Sequence, residues 1–357
     1  MRRIVLAIAA LLLLGGAVAY FLRGPLTLRL MERVVASNLG AGRLDELPDG
    51  LHVGLCGAGS PLPDPIRSGP CVAVVAGEAL YVVDAGAGAS RVLARLRLPQ
   101  SRVRGVLLTH FHSDHIDGLG ELLLQRWAGG AHDAPLPVHG PPGVEEVVDG
   151  FNRAYAQDAA YRVAHHGADV VPPTGAGGAA RTFAVAEDGA PAVVLEDGGL
   201  TVEAFRVDHA PVAPAVGYRF TYAGRSVVVS GDTSKSSTVE RMARGADVLV
   251  HEALSPELVA VLTRAAARAG AANLEKITTD IVGYHTTPRE AAEIARDAGV
   301  RYLLLYHVVP PLPLAPLEEI FLRGVDDIWR GPVTVGRDGS FVSLPAGSDT
   351  VEYDELL

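Results

Sequence analysis

His110-Phe111-His112-Ser113-Asp114-His115 follows directly on the strand-like run Val103-Arg104-Gly105-Val106-Leu107-Leu108-Thr109, and its reading decides the fold. Alternate side chains of an extended segment share a face, so His110 and His112 can grip one ion. Asp114 and His115 lie where the chain turns toward the next helix. That arrangement suits two adjacent metals. A polar loop that merely carries histidines is the bland alternative, and the density of ligand-type side chains argues against it.

Further ligand-type residues stand at the ends of later β-type segments. They are Val207-Asp208-His209, Ser230-Gly231-Asp232-Thr233 after the apolar run Ser226-Val227-Val228-Val229, and Leu303-Leu304-Leu305-Tyr306-His307. A site assembled from strand ends is rigid, and catalytic groups are commonly carried there.

The order of these residues is specific. His-x-His-x-Asp-His, then His209 with Gly217-Tyr218-Arg219-Phe220, Gly231-Asp232-Thr233, His251-Glu252-Ala253, His285-Thr286-Thr287 and His307 together resemble the metallo-β-lactamase superfamily. Within it they are most similar to the branch holding ribonuclease Z and the zinc-dependent arylsulfatases. The likeness runs from about Leu51 to Leu344. Leu55 to Pro61 resembles the family's first strand and glycine turn, with Cys56 and Ala58 as departures. Val82-Val83-Asp84-Ala85-Gly86 resembles its Asp-x-Gly turn.

The resemblance implies an α/β fold, a four-layer αββα sandwich of two mixed β-sheets with the site along one edge. It implies two Zn2+, with Mn2+ or Fe2+ able to take their place. His110, His112 and His209 would hold the first ion, Asp114, His115 and His307 the second, and Asp232 would bridge them. A carboxylate suits that position because it offers two oxygens and negative charge between two cations. Asp114 would also orient or deprotonate the attacking water, and Asp84 would buttress the ligand loop. Glu252 and His285 would meet beside the metals, His285 acting on the leaving oxygen as a general acid whose pKa Glu252 raises. Leu254 and Thr286 depart from ribonuclease Z, where Thr and Ser are usual.

Length and composition agree with one large hydrolase domain over residues 45–345. The chain has 357 residues, 48% hydrophobic and 20% charged, enough to bury a full core. Helical patterns run over Leu119–Trp127, Val144–Val163, Pro256–Ala269 and Pro288–Ala298, the last closed by Gly299. Val333-Thr334-Val335 and Phe341-Val342-Ser343-Leu344 flank Gly336-Arg337-Asp338-Gly339, a hairpin pattern. Residues 346–357 read as an acidic tail.

Residues 1–24 read as a signal peptide or N-terminal membrane anchor. Arg2 and Arg3 precede the uncharged run Ile4 to Leu22, Ala17-Val18-Ala19 fits a cleavage site, and Gly24-Pro25 should break a helix. The expectation is an exported protein, periplasmic or in the cell envelope, soluble after cleavage or anchored through residues 4–22. Cys56 and Cys71 are the chain's two cysteines. They bracket the first hairpin, as a disulfide or as two buried thiols.

Net charge of -10 and a pI near 5.6 bear on substrate. Nucleic-acid affinity depends on neutralising phosphates. Ribonuclease Z carries a basic arm and a Lys/Arg-bearing loop before its Gly-Asp-Thr strand, whereas here that loop is Tyr222-Ala223-Gly224-Arg225 and the lysines are Lys235 and Lys276. Nucleic acid is therefore not expected as a partner. In place of the arm stands residues 128–201, read as a lid in which Tyr155, Tyr161 or His166 faces the substrate. The expected activity is arylsulfatase-like hydrolysis of a small sulfate or phosphate ester by a monomer or homodimer. A ribonuclease Z-like phosphodiesterase (3′ tRNA processing endonuclease), a lactone or carboxylic ester hydrolase and a mono-iron sulfur dioxygenase remain as alternatives.

Overall fold

Apolar, β-branched runs punctuated by Gly, Pro and Asp become strands along most of the chain. The first are β1 (Gly50–Gly57), β2 (Cys71–Ala76), β3 (Ala79–Val83), β4 (Val103–Leu107), β5 (Leu136–Gly140) and β6 (Gly178–Thr182). Next come β7 (Ala192–Asp197), β8 (Leu200–His209), β9 (Val212–Tyr222), β10 (Arg225–Val229) and β11 (Val248–Leu254). β12 (Tyr302–Val309), β13 (Val333–Val335), β14 (Ser340–Pro345) and β15 (Glu352–Glu355) complete the set. The helices are α1 (Arg2–Gly40), α2 (Ala89–Arg95), α3 (Ser113–Ile116), α4 (Leu119–Gly130) and α5 (Val144–His166), then α6 (Ser237–Ala243), α7 (Pro256–Arg268), α8 (Ala272–Asp280), α9 (Pro288–Ala298) and α10 (Ala315–Phe321). This computed structural model describes the backbone of residues 2–40 and 42–357, and the side chains of residues 15, 16, 19–36 and 42–357.

Two compact units result, residues 1–46 and 47–357. The second contains two mixed sheets, ordered β15-β14-β1-β2-β3-β4-β5-β6 and β13-β12-β11-β10-β9-β8-β7. In the first sheet β3, β4, β5 and β6 run parallel; in the second, β10 to β13 do. Covered on both faces, a strand such as Cys71-Val72-Ala73-Val74-Val75-Ala76 is apolar throughout. Leu51, Val53, Leu55, Val74 and Tyr81 of one sheet meet Val202, Phe220, Val227, Val250 and Leu304 of the other in the central core. A second core lies outside the second sheet, against Val239 and Met242 of α6, Ile294 and Ala295 of α9 and Phe321 of α10. On the far side of the first sheet, α2 and α4 bury Val92, Leu93, Leu122 and Trp127. The architecture is the αββα sandwich.

Several expectations give way. Val333–Val335 and Ser340–Pro345 form no hairpin, because β13 pairs with β12 in one sheet and β14 with β1 in the other. Gly336 to Gly339 crosses between the sheets, with Gly336 N–H donating to Leu305 O, Gly339 N–H to Leu55 O, and Asp338 accepting from the Ala58 and Ser68 amides. The acidic tail is no appendage: Glu352–Glu355 adds an edge strand to β14, and buried Arg225 donates to the Ser348 and Thr350 carbonyls. Pro25 lies inside α1. Its ring removes one backbone donor, but its fixed φ is already helical. Most side chains in the expected signal segment lie outside the described residues, and among those described no helix is long and apolar enough to cross a membrane.

Cys56, at the end of β1, and Cys71, at the start of β2, form a disulfide with Cα atoms 4.9 Å apart. It closes the neck of the loop from Gly57 to Pro70. Loop closure of this length contributes roughly 2–4 kcal/mol. Replacing both cysteines by serine should lower unfolding stability in denaturant by about that amount, and an unchanged midpoint would mean that the native thiols are reduced.

Candidate metal centre

The ligand loop leaves β4 and is fixed at once by one carboxylate. Asp84, just past β3 with φ 57°, accepts from Thr109 N–H and Thr109 Oγ1, each at 2.8 Å, and from His115 Nδ1 at 2.8 Å. Thr109 Oγ1 in turn meets His110 Nδ1 at 3.0 Å. His209, at the end of β8, places Nδ1 3.1 Å from the Tyr284 carbonyl. A ring nitrogen that donates its proton outward leaves the other as a lone pair. His110 and His209 therefore turn an Nε2 lone pair inward, and His115 turns its Nε2 the same way.

Those atoms converge on Asp232. It follows Gly231, whose φ of 63° and approach to the Val216 carbonyl leave no room for a Cβ. His110 Nε2 and His209 Nε2 are each 3.9 Å from Asp232 Oδ2, and His112 Nδ1 is 3.0 Å from His110 Nε2 and 3.4 Å from His209 Nε2. On the other side His115 Nε2 and His307 Nε2 lie 3.4 and 3.3 Å from Asp232 Oδ2, with Asp114 Oδ2 3.6 and 3.3 Å from the same nitrogens. His110, His112, His209 and Asp232 form one group of ligand-type atoms within reach of an ion, and Asp114, His115 and His307 another.

His307 gets there by a β-bulge. Glu252 of β11 pairs with Tyr306 and Ala253 with Val308, so His307 is the extra residue, in the left-handed region at φ 45°. A bulge re-aims a side chain in this way. The sequence marks the strand end but not the inserted residue.

The electrostatics suit a cation. Burial pushes His110 well down and His112 and His209 down, which keeps those rings neutral. Burial opposes charge on His115 as well, but the Asp232 and Asp84 carboxylates overcome it and hold that ring well above its ordinary value. Against its own burial, Asp232 is held well below the usual carboxylate range by His307, His115 and His110. Buried His115 Nε2 and Asp232 Oδ1 have no hydrogen-bond partner. Neutral imidazoles crowded about a buried carboxylate that has an orphaned oxygen fit a metal pair, which would take the place of the proton that Asp232 and Asp84 favour on His115.

Beside this centre His285 Nδ1 lies 3.0 Å from Glu252 Oε1, which also accepts from the amides of Thr286 at 3.1 Å and Thr233 at 3.2 Å. Burial disfavours the charged ring, but Glu252, with help from Asp232, raises its pKa to about 9. His285 also lies within ligand reach of Asp232 and His307. Its proton, held by Glu252, suits it to donate instead. The loop is set by α9, whose capping box joins Thr287 and Glu290.

Every expected site residue is thus brought together. The expected lid is not: the cleft beside the ligand-type residues is lined by Pro61, Leu62, Leu274, Ile277, Ile281 and Tyr284, none of them from residues 128–201. Residues 128–201 instead extend both sheets through β5, β6 and β7; Tyr155 packs on Gly120, and Tyr161 and His166 are exposed. The cover comes from α8, a helix that the sequence patterns did not pick out. Tyr284 was also unforeseen; its ring sits edge-on to His209 with centroids 5.1 Å apart.

Residues 80–308 match the family model described as Beta-lactamase superfamily domain, and the chain belongs to that superfamily of metallo-hydrolases. Its similarity lies on the ribonuclease Z side. It is 38% identical over 290 residues to a protein named Ribonuclease Z from Mycobacterium bovis, covering 81% of this chain and 96% of that one. With the Ribonuclease Z of Mycobacterium avium it shares 35% over 300 residues, 84% of this chain and 100% of the other. Among solved structures, the metallo-beta-lactamase fold protein YhfI from Bacillus subtilis superposes with TM-score 0.59 at 20% identity, covering 83% and 100% of the two chains. Human tRNase Z, short form, superposes with TM-score 0.57 at 21% identity, covering 82% and 99%. These two structural likenesses carry the fold alone.

The named relatives overturn the expected arylsulfatase-like activity on a small ester and the expectation that nucleic acid is no partner. Whole-chain charge misled there, since it governs long-range, nonspecific attraction rather than what a site cleaves.

Asp84 touches no expected metal position, yet it orients His115 directly and His110 through Thr109. Asp84→Asn should weaken divalent-metal affinity about 10–100-fold with circular dichroism unchanged. Competition against a chelating dye measures this, and wild-type affinity would remove Asp84 from that role.

Proposed function

We propose that this chain is a binuclear zinc phosphodiesterase of the ribonuclease Z kind, with the 3′ end of a transfer-RNA precursor as its substrate. What carries the reading is 38% identity across 96% of a Ribonuclease Z, with all the ligand-type residues converging on Asp232. His110, His112 and His209 would hold one ion, Asp114, His115 and His307 the other, and Asp232 both. When bound, such a pair supplies Lewis acidity and a nucleophile drawn from water near neutral pH.

The chain's own residues do the rest. Asp114, whose carboxyl the His307 and His115 rings hold low against the effect of burial, accepts a proton from the attacking water. Water oxygen bonds to phosphorus, the phosphorus bond to the leaving ribose oxygen breaks, and that oxygen takes the proton of His285. Glu252 keeps the proton on His285 and fixes the ring, with Thr286 and Thr233 holding Glu252 in turn. Leu62 and the apolar side chains of α8 line the cleft beside these groups.

Metal content separates this reading from a mono-iron enzyme. Protein purified without chelator should hold two zinc ions per chain by elemental analysis, and Asp232→Ala should lose both with hydrolysis of a transfer-RNA precursor. A single tightly bound iron, retained in Asp232→Ala, would overturn it.

His285→Ala should keep its zinc while lowering the rate roughly 10²–10⁴-fold on a phosphodiester with an alkoxide leaving group, and far less on a nitrophenyl ester whose oxygen departs without a proton. Because the acid must be protonated, kcat/KM should fall as pH rises through the His285 pKa. Glu252→Gln, by removing the charge that raises that pKa, should move this alkaline limb to lower pH. An equal loss on both esters, or an unmoved limb, would mean that His285 does not donate the proton.

A further inference from the structure

Between β11 and His285 the chain builds a helical hairpin from α7 and α8. Thr263 Oγ1 donates to Thr278 Oγ1 at 2.9 Å, and Thr278 is buried at the junction. The hairpin is thereby held as one piece. Its second helix projects Leu274, Ile277 and, just beyond, Ile281 into a cavity of about 240 Å³ that also touches His112, Asp114, Asp232, His285 and His307. Pro61, Leu62, Val309 and the ring of Tyr284 complete its wall, Leu62 and Ile281 both packing on Leu254, Val259 and Val309.

Two features of this cavity point to its occupant. No Lys or Arg lines it, so beyond the metal positions and His285 no cationic side chain there pairs with a phosphate. Yet Leu274 is 43% and Ile277 56% exposed, apolar side chains left open beside a charged centre. The volume lies below the roughly 300–1,000 Å³ of pockets for drug-sized ligands, so it takes one ring system and not a base pair. Bases are flat and apolar on their faces, and burying a face against aliphatic side chains is favourable without regard to sequence.

We propose that α8 and the Pro61-Leu62 loop form a base platform, which takes the unpaired nucleobase adjoining the scissile phosphodiester against Leu274, Ile277 and Leu62. This rests on the phosphodiesterase reading and adds the substrate class: a single-stranded end, selected by packing rather than by a cationic clamp. Few counterions are then released on binding, so affinity depends weakly on salt.

Binding of thymidine 5′-phosphate and of methyl phosphate to the zinc-loaded full chain, measured by calorimetry at 50 and 200 mM salt, tests this without hydrolysis. L274S/I277S, altering two exposed positions, should weaken thymidine 5′-phosphate about 5- to 100-fold, the span of base-stacking effects, and methyl phosphate less than about twofold. V261S, on α7 outside the cavity, should change neither, and L274F/I277F should restore or tighten nucleotide binding. Equal weakening of both ligands, or unchanged nucleotide binding, would overturn the platform. Failure of the unaltered chain to cleave any phosphodiester while still preferring thymidine 5′-phosphate in this α8-dependent way would sink the phosphodiesterase reading and leave the platform standing.

Discussion

Everything in the centre depends on one buried carboxylate facing several buried imidazole nitrogens. Asp232 is 2% exposed, His110 and His115 are fully buried, and His209 and His307 are 1% exposed. Uncompensated groups of this kind are costly to bury. The fold meets the cost by pairing the outer nitrogens with protein acceptors: Asp84 for His115, Thr109 for His110, the Tyr284 carbonyl for His209. Each such bond settles which nitrogen carries the proton, and so which carries the lone pair. Where the outer nitrogen is paired in this way the inner one faces the ligand cluster; the outer Nδ1 of His307 has no such partner.

That constraint explains where the sheets must bend. A strand delivers side chains alternately to its two faces, and β12 in register would send His307 to the wrong one. The inserted residue at the Glu252/Ala253 step corrects the aim at the expense of a left-handed backbone at a histidine. Such local strain persists only where surrounding pairings enforce it. Here β11 resumes its register with Val308 and Val309, and the Val308 amide donates to the Ala58 carbonyl of the disulfide-closed loop. The ligand loop, the bulge and the Cys56–Cys71 neck therefore form one supported assembly.

What the sequence discloses follows the range of the interactions. His110 to His115 is legible because its ligands are neighbours along the chain, and α9 because Thr287, Pro288, Glu290 and Gly299 are local signals for its two ends. His209, Asp232 and His307 are legible only as polar residues at strand ends; their convergence comes from sheet order. The crossing of Gly336 to Gly339 between sheets has the same turn residues as a hairpin, and only the partners β1 and β12 distinguish the two. Likewise Leu274 and Ile277 are apolar at helical spacing, which fits a buried face as well as a cleft wall. The lid assigned to residues 128–201 failed because insertion length does not say on which side of a sheet the insertion lies.

Charge was the least transferable of the sequence signals. A total of -10 spread over the surface acts over distances that salt screens within about 10 Å. Within the cleft the local balance is different, since burial disfavours charge on His110, His112 and His209, and the carboxylates Asp114 and Asp232 face the ring nitrogens. Two divalent ions there would add four positive charges at the reacting atoms, against two ligand carboxylates. With such ions bound, an anionic diester would be attracted at short range even by a chain that repels it at long range. The consequence is kinetic: association with a polyanion is slow at low salt and gains from screening, opposite in sign to that of a protein with a basic arm.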